Sequence, residues 1–423
     1  MSLVSMFTEF LMGTKSEEQL WITTGEKGTL NSNEPALIQG SLTYIKNSSL
    51  KVKIFKLIHN GLLRQSSQGD FTKFTELSWR IVEFFSESNE GRDKFGFSVF
   101  YSSFKTDFYV KNETELLLWK EKLEGICICT DFPDNFVVIK KLGAGKSGEV
   151  FLVEDLHTRK EYAMKCIKKN TILSERKLES LYNEIKIMRS LNHPNIVKLH
   201  KVYENEKCIK MILDYCPFGT LYSRLLSRKK IDESVAKKFS RRLLETVDFL
   251  HGNRIMHRDI KLENILMTSD SDDTSFKIGD FGLSCEVHNT HYLRCGSPGY
   301  VAPEILRDKK YNHKADIFSC GIVIFALIGG YLPFTGENPN EILLNNCKCK
   351  INFEDKIWKK VSYLVVDLLS ELLEPNPELR PDAAEALLKQ WIIRKKKIKE
   401  KSPATGIFIS ESPAFGNVNI LTY

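Results

Sequence analysis

The stretch that decides the fold is His257-Arg258-Asp259-Ile260-Lys261-Leu262-Glu263-Asn264. Further along the chain stand Asp280-Phe281-Gly282 and the segment Gly296-Ser297-Pro298-Gly299-Tyr300-Val301-Ala302-Pro303-Glu304. A glycine-rich stretch precedes all three segments, Leu142-Gly143-Ala144-Gly145-Lys146-Ser147-Gly148-Glu149-Val150. A short motif of this kind is a weak signal alone, so the interpretation depends on the order of the motifs and on what lies between them.

The glycine-rich stretch follows an apolar run at residues 136–139. A dinucleotide-binding turn would need a helix directly after the glycines, whereas Glu149-Val150-Phe151-Leu152-Val153 is typical of a strand. A Walker loop would need glycine at position 140, which is Lys140. What remains is a glycine loop between two strands, whose backbone can lie close over phosphates because no Cβ intervenes.

A loop of this kind predicts a lysine on the next strand, and Ala163-Met164-Lys165 supplies it. A helical pattern follows and offers Glu184, ahead of the break at His193-Pro194. A single lysine or glutamate is usually a solvated surface charge. In this order, however, the two indicate an ammonium group that is held on phosphates by a carboxylate from a mobile helix.

With all the motifs in this order, residues 136–392 resemble a eukaryotic protein kinase domain. The resemblance implies a bilobal α+β fold with a β-rich N-terminal lobe and a helical C-terminal lobe. It also implies ATP and Mg²⁺ as cofactors and proteins as substrates. Lys261 and Gly296-Ser297 are similar to the residues of Ser/Thr kinases, and Cys295 to Leu306 looks most like the calmodulin-dependent kinase group.

The resemblance assigns the catalytic roles residue by residue. Asp259 matches the catalytic aspartate, which accepts the proton of the substrate hydroxyl. Lys261 would lie near the transferred phosphoryl group, and Ser297 would bridge Asp259 and Lys261. Lys165 and Glu184 match the ion pair that positions the nucleotide phosphates.

The same resemblance supplies the metal and nucleotide sites. Asn264 and Asp280 match the magnesium ligands, which suits Mg²⁺ because it keeps waters and phosphate oxygens as its other ligands. The residues that match the nucleotide-binding set are Leu142, Gly143, Ala144, Gly145, Lys146, Ser147, Gly148, Glu149, Val150, Ala163, Lys165, Asp214, Cys216 and Leu266.

One departure from the family pattern concerns the activation loop. Many Ser/Thr kinases order this loop through a phosphothreonine that pairs with the arginine matched by Arg258, but the corresponding position here is Leu293. The nearest acceptors are Thr290 and Tyr292. Our hypothesis is that the loop is ordered without this phosphate and that Arg258 uses Glu286 or another anion.

Residues 36–128 have the pattern of a small β-domain that ends in a helix. Several runs alternate at period two, and Asn60-Gly61 between two of them predicts a hairpin, because both turn residues would adopt positive φ. Four apolar residues then fall on one helix face, with Asn112 or Thr114 as the cap. They are Leu116, Trp119, Leu123 and Ile126.

This order of elements, with Gly40-Ser41-Leu42 at its start, resembles a pleckstrin-homology domain, a small β-barrel or sandwich capped by a C-terminal helix. The resemblance implies membrane or protein targeting, or autoregulation. Lys46, Lys51 and Lys53 approximate the basic pattern that binds phosphoinositide or acidic membrane, although lysine is a poorer bidentate phosphate ligand than arginine. A protein-binding or autoinhibitory module is an equally good interpretation.

The charge balance and the chain termini predict little more. The chain has 61 Lys+Arg against 54 Asp+Glu, a net charge of +7, which is only mildly basic and does not argue for nucleic acid. Residues 1–35 are interpreted as a loose leader and residues 393–423 as a basic, flexible tail. The run Arg394–Lys401 in this tail fits calmodulin or another acidic partner.

Two further patterns bear on location. The uncharged run at residues 317–334 is barely long enough to cross a bilayer and contains Gly329-Gly330 and Pro333, so we expect a buried helix and no transmembrane segment. Ten cysteines in 423 residues are too dilute for a disulfide scaffold. We therefore expect a cytoplasmic protein, which the N-terminal domain could recruit to a membrane.

The main functional prediction is a Ser/Thr protein kinase that transfers the γ-phosphoryl group of Mg-ATP. The alternative is a catalytically silent, ATP-binding pseudokinase scaffold. Pseudokinases usually lack one of three residues that are all present here, Lys165, Asp259 and Asp280. A small-molecule kinase of similar fold is disfavoured by the segment at residues 296–304.

Overall fold

The computed structural model describes residues 21–23, 34–46, 49–89, 92–101, 104–130, 132, 136–145, 148–229, 231–287, 294–307 and 310–393. The chain divides into two compact units. The first comprises Met1–Leu178 and Leu199–Tyr215, and the second comprises Glu179–Lys198 and Cys216–Tyr423. Most of the predicted leader and the basic run Arg394–Lys401 lie outside the described residues.

The first unit is built on one continuous sheet. Its strands are β1 (Ile22–Thr23), β2 (Ile38–Lys46), β3 (Ser49–Ile58), β4 (Gly61–Gln65), β5 (Phe71–Glu76), β6 (Ile81–Asn89), β7 (Arg92–Phe100), β8 (Lys105–Val110), β9 (Ile128–Cys129), β10 (Phe136–Gly145), β11 (Gly148–Asp155), β12 (Lys160–Lys168), β13 (Leu199–Glu204) and β14 (Cys208–Asp214). They lie in the order β1-β5-β4-β3-β2-β8-β7-β6-β9-β13-β14-β12-β11-β10. Helix α1 (Glu113–Glu124) and a 3₁₀ helix (Lys169–Thr171) belong to this unit, and α2 (Glu175–Ser190) begins in it. The predicted β-rich N-terminal region is thereby confirmed.

The short strand β9 joins the two halves of this sheet. Ile128 and Cys129 pair in parallel with β6 on one side and with Val202 and Tyr203 of β13 on the other. One hydrophobic core runs through both halves and includes Trp119 and Tyr203. The sheet and its core therefore continue through the segment that separates the two predicted domains, whose boundaries at 36–128 and 136–392 stay predictions.

The hairpin of β3 and β4 confirms one prediction but not its stated reason. Ile58 pairs with Gly61, so His59 and Asn60 form the turn, and neither Asn60 nor Gly61 has a positive φ. A Cβ on Gly61 would lie 2.3 Å from the carbonyl oxygen of Thr75 on β5. Glycine is required here because a neighbouring backbone passes too close for any side chain.

Helix α1 forms as predicted with Asn112 as its cap, but it ends at Glu124, so Ile126 lies beyond the helix. The Asn112 side chain accepts a hydrogen bond from the Glu115 amide at 2.9 Å, which satisfies a donor that the helix itself cannot. The helix buries Leu116, Trp119 and Leu123, and the Trp119 ring stacks on Phe97 with centroids 5.8 Å apart. Strands followed by a helix with an inward tryptophan match the predicted order, while closure into a barrel or sandwich stays a prediction.

The second unit is mainly helical, as predicted for the C-terminal lobe. Its helices after α2 are α3 (Leu221–Arg228), α4 (Glu233–Gly252), α5 (Pro303–Leu306), α6 (Lys314–Gly329), α7 (Pro339–Lys348), α8 (Tyr363–Leu372), α9 (Ala383–Leu387) and α10 (Gln390–Ile393). Two short strand pairs accompany them, β15 (Ile255–Met256) with β18 (Cys285–Glu286) and β16 (Ile265–Met267) with β17 (Phe276–Ile278). Single 3₁₀ turns lie at Leu262–Asn264 and Trp358–Lys360.

Helix α6 is the centre of this unit. Every residue from Ala315 to Ile328 is buried, which explains why its sequence is apolar on all sides. Among the described residues, no helix has both the length and the apolar character needed to span a bilayer. The uncharged run is a core helix, as predicted.

Candidate functional site

The glycine-rich stretch forms a hairpin in the first unit. β10 and β11 are antiparallel, and Gly145 lies opposite Gly148. The strand–loop–strand interpretation is confirmed, and a dinucleotide-binding turn is excluded because a strand follows the glycines. Lys146 and Ser147 lie outside the described residues.

Two kinds of glycine occur in this hairpin. A Cβ on Gly143 or Gly145 would meet nothing within 4 Å, so the backbone there is open to a ligand. Gly148 has φ +125°, and a Cβ on it would lie 2.5 Å from the carbonyl oxygen of Cys166. Gly148 is thus required by the fold, whereas the first two glycines leave the space that a phosphate-binding backbone needs.

The other candidates of the first unit lie on neighbouring strands. Val150 on β11 pairs with Lys165 on β12, and Ala163 of β12 pairs with Leu152. The Lys165 side chain is buried, with 7% of its surface exposed. Asp214 ends β14, where its Oδ1 lies 2.7 Å from Nε2 of His200. Leu142 stands on β10 and is exposed.

Glu149 holds the two strands of the glycine hairpin together. Its carboxylate lies 2.5 Å from Nζ of Lys141 on β10 and 3.4 Å from Nζ of Lys168. The hydrogen bond from Lys141 and the charges of both lysines lower the pKa of Glu149. Because the group is exposed, this ion pair contributes to positioning more than to stability.

The remaining candidates lie in the second unit. Glu184 on α2 is buried, and its Oε2 would lie 3.7 Å from a Cβ on Gly282, so the carboxylate faces the Asp280-Phe281-Gly282 backbone. Leu266 on β16 is half-buried. Cys216, also half-buried, directly follows the last residue of the first unit.

Asp259 is the centre of a compact polar cluster. Its Oδ1 accepts a hydrogen bond from the Ser297 hydroxyl at 2.8 Å, and its Oδ2 lies 2.8 Å from Nζ of Lys261. Lys261 also donates to the Ser297 oxygen at 2.7 Å. Ser297 therefore bridges Asp259 and Lys261, as the resemblance implies. With only 7% of its surface exposed, Asp259 is oriented by these partners and by the amide of Asn264, which donates to Oδ2 at 3.0 Å.

Asn264 and Asp280 have the donors that a hard cation prefers. Asn264 uses its amide nitrogen toward Asp259, which leaves its carbonyl oxygen as the atom for a cation. Asp280 is exposed, with φ +58°, and the backbone amide of the preceding Gly279 donates to the backbone carbonyl oxygen of Asn264 at 2.9 Å, so the side-chain Oδ1 of Asn264 is not used by this bond. The donor set fits Mg²⁺, which takes few protein oxygens when phosphates supply the others. The described residues contain no cluster of three or more His, Cys, Asp or Glu that could hold a metal ion.

The residue that sequence reasoning missed is Asp316, on α6. Its two oxygens accept the backbone amides of His257 and Arg258, at 2.9 Å and 2.8 Å, and Nε2 of His251 lies 3.0 Å away. Burial opposes ionisation, but the hydrogen bond and charge of His251 and the amide of His257 outweigh it and lower the pKa of Asp316. The available signal was one carboxylate just before an uncharged apolar run, where only a partnered charge is tolerated.

The predicted partner of Arg258 is different in the structure. Glu286 forms an ion pair with Lys186 of α2 at 2.7 Å. Arg258 instead donates through Nε to the Leu283 carbonyl at 2.6 Å and through Nη1 to the Tyr311 hydroxyl at 3.2 Å. The carboxylate of Glu286 therefore pairs with α2 and not with Arg258. Thr290, Tyr292 and Leu293 lie outside the described residues.

Comparison with known proteins decides the family. The model of the protein kinase domain matches residues 136–392, the region that contains all of these motifs. The chain belongs to the protein kinase family. The matched region extends from the first strand of the glycine hairpin to α10.

The relatives that match this chain are also named as protein kinases. A probable serine/threonine-protein kinase 2 from Plasmodium falciparum is 37% identical over 265 residues, which cover 62% of this chain and 51% of the relative. Calcium-dependent protein kinase 11 from Arabidopsis thaliana is 34% identical, over 68% of this chain and 58% of the relative. Calcium/calmodulin-dependent protein kinase type 1 from Caenorhabditis briggsae is 36% identical, over 59% of this chain and 70% of the relative. The chain spans about half the length of the Plasmodium relative, and the matches support a protein serine/threonine kinase.

The Ser297 bridge leads to a first prediction. Changing Ser297→Ala removes the hydrogen bonds that orient Asp259 and Lys261, and we expect kcat to fall roughly tenfold or more, since hydrogen bonds to charged groups contribute about 1.5–3 kcal/mol. Steady-state phosphotransfer to a peptide measures the effect. Ser370→Ala is the matched control, because the Ser370 hydroxyl only donates to Val366 O on an exposed helix face. An unchanged kcat in Ser297→Ala would contradict the bridging role.

Proposed function

We propose that this protein transfers the γ-phosphoryl group of Mg-ATP to serine or threonine hydroxyls of proteins. The observation that carries the proposal is the cluster of Asp259, Lys261 and Ser297, with Asn264 and Asp280 beside it. A buried carboxylate that is oriented by three partners is suited to align a hydroxyl and accept its proton. The motif order and the family match support the same reaction.

Phosphoryl transfer requires little covalent help, so positioning and charge dominate. ATP with Mg²⁺ supplies the transferable phosphoryl group and the divalent charge. Asn264 and Asp280 would hold the cation through their oxygens, and Lys165 would bind phosphate. Asp259 would accept the proton of the substrate hydroxyl, while Lys261, 2.8 Å from it, would neutralise charge near the transferred group.

The test compares the parent with Asp259→Asn. The amide cannot accept the hydroxyl proton as a carboxylate does, and general base catalysis contributes about 10²–10⁴-fold, so we expect transfer to a generic protein substrate to fall at least a hundredfold. Asp367→Asn on α8, an exposed side chain, is the control for the loss of one charge. If the parent supplied with Mg-ATP transferred no phosphate, the pseudokinase alternative would replace this proposal. Equal transfer by an active parent and by Asp259→Asn would contradict the role assigned to Asp259.

Substrate preference is proposed from Glu263, between the catalytic aspartate and Asn264. Its Oε2 is buried and lacks a hydrogen-bond partner within the described residues. Burial raises the pKa of Glu263, and the charge of Asp259 adds to this. Its backbone hydrogen bond, the charge of Lys261 and the Tyr300 hydroxyl act in the opposite direction but do not outweigh burial. A carboxylate in such a place favours a cation as its partner, so we propose that Glu263 selects a basic residue just upstream of the phosphorylated one.

The sign of the pH dependence follows from the raised pKa. Above this pKa Glu263 is ionised and should favour an arginine-containing peptide over its alanine analogue roughly tenfold in kcat/KM. As the pH falls through the raised pKa, the carboxyl group is protonated. The preference for arginine should therefore disappear at a higher pH than it would with an ordinary glutamate. Glu263→Gln should lack the preference at every pH, and Glu354→Gln, an exposed glutamate, should keep it. A preference that survives in Glu263→Gln would rule this residue out.

We further propose that residues 36–128 are a pleckstrin-homology module that binds anionic lipid. Cross-strand pairs Tyr44↔Lys51 and Leu42↔Lys53 place both lysines on one face of the β2–β3 hairpin. Lys46 lies two residues beyond Tyr44 on β2 and therefore shares that face. Leu50 and Val52 are exposed on the opposite face of β3. Three ammonium groups on one face would attract phosphate-bearing headgroups.

Liposome flotation tests this proposal. About 1 kcal/mol per lysine near an anionic surface predicts roughly a hundredfold weaker binding when Lys46, Lys51 and Lys53 are all changed to Ala. The charge-matched control changes the exposed Lys356, Lys359 and Lys360 of the second unit to Ala. Vesicles with phosphatidylserine alone and with added phosphoinositide separate general charge from headgroup recognition, and competition by inorganic phosphate reports binding to free anions. Equal flotation of both triple variants would leave a protein-binding or autoregulatory module as the better interpretation.

Two further proposals concern the partner of the basic tail and the location of the protein. One relative is named as calcium/calmodulin-dependent, and for this chain we propose calmodulin or another acidic partner for residues 394–401 on the basis of their charge alone. A cytoplasmic location with membrane recruitment likewise depends on the lipid proposal.

A further inference from the structure

Arg258 of the catalytic loop is held from two directions. Its φ is +66°, a conformation that L residues rarely adopt, and its backbone amide donates to Asp316 at 2.8 Å. Its guanidinium donates to the Leu283 carbonyl at 2.6 Å and to the Tyr311 hydroxyl at 3.2 Å. Strained backbone of this kind persists only where the surroundings over-determine it.

Tyr311 connects this arginine to the segment that carries Ser297. Arginine can only donate, so the Tyr311 oxygen accepts from Arg258. The Sγ atom of Cys295 lies 3.5 Å from the Tyr311 oxygen, and either group can be the donor in this contact. The polar contacts thus run from Arg258 through Tyr311 to Cys295.

The backbone after Cys295 returns to the catalytic loop. A Cβ on Gly296, whose φ is +109°, would lie 3.3 Å from the Arg258 carbonyl oxygen, so the two backbones touch. Ser297 then donates to Asp259 at 2.8 Å. The segment 295–297 is therefore tied to Arg258 through Tyr311 at one end and to Asp259 through Ser297 at the other.

Tyr311 itself is buried in the core of the second unit. It is 7% exposed and belongs to the main core of the second unit, just before α6 begins at Lys314. Asp316 in the first turn of the same helix holds the Arg258 amide. Two buried residues, Asp316 and Tyr311, therefore hold the backbone and the guanidinium of this arginine.

We infer that Tyr311 is a positioning residue for phosphotransfer, whose hydroxyl holds Arg258 and the segment 295–297 without any phosphate on the activation loop. The chain has Leu293 where the family resemblance leads one to expect a phosphothreonine, so a phosphate partner at that position is unavailable to Arg258. The neutral hydroxyl of Tyr311, which the core holds in place, thus takes the position of partner to Arg258 that a phosphate added to the activation loop would otherwise fill. The inference rests on the proposed kinase activity.

The test is the full chain with Tyr311→Phe, which removes one hydroxyl and keeps the ring. We expect kcat for a peptide substrate to fall roughly tenfold or more, as for one hydrogen bond to a charged group, while KM for ATP stays within twofold. Tyr363→Phe, at a tyrosine that is 61% exposed, is the matched control and should leave kcat unchanged. Equal kcat in the parent and in Tyr311→Phe would overturn the inference.

A double-mutant cycle separates positioning from general stability. In the Arg258→Ala background the Tyr311→Phe change should have no further effect on kcat, because its target is gone. An effect of the same size in both backgrounds would show that Tyr311 acts only through folding. The variant Thr290→Ala/Tyr292→Phe should keep kcat within twofold of the parent, and a loss of activity there would show that a loop phosphate is needed after all.

Hydrogen exchange gives a readout that does not require activity. Tyr311→Phe should accelerate amide exchange in residues 294–300 at least severalfold, with no change in residues 363–372. If the parent were inactive but this acceleration occurred, the kinase proposal would fail while the Tyr311 contact would stand. Unchanged exchange in residues 294–300 would count against the contact itself.

Discussion

The carboxylate of Asp316 is the interaction on which the catalytic loop depends. It is fully buried, and it accepts the amides of two consecutive residues, His257 and Arg258, while His251 approaches it from the side. Removing one partner of a buried charge of this kind costs roughly 3–5 kcal/mol, because the other partners are left without compensation. The next residue is Asp259, so the position of its carboxylate depends on a buried helix.

The structure separates two kinds of glycine that look the same in a sequence. Gly143 and Gly145 leave open space, whereas Gly61 and Gly148 are required because a carbonyl oxygen would lie within 2.5 Å of any Cβ. The first kind provides a surface for a ligand and the second provides close strand packing. Pattern reasoning found both hairpins, but its reason for Gly61, a positive φ, was wrong because the packing of a third strand was not visible in the sequence.

Local patterns were sufficient for much of the fold and of the site. The cap of α1, its inward Trp119, the strand–loop–strand hairpin and the Ser297 bridge could all be predicted from short-range spacing or from motif resemblance. Asp316, Tyr311 and strand β9 could not, because each works through contacts with residues distant in sequence. Glu286 shows the same limit: its charge was evident, but its choice of Lys186 over Arg258 depends on where α2 lies in the second unit.

Strand β9 has a consequence for the behaviour of the polypeptide in solution. Ile128 and Cys129 occupy the hydrogen-bonding edges of β6 and β13 at the same time. A free strand edge is a template for pairing with another chain and hence for aggregation. A polypeptide that began at Phe136 would include the whole matched kinase domain, yet it would leave the edge of β13 uncovered. The solubility of the β-rich unit is therefore encoded partly outside the region that defines its family.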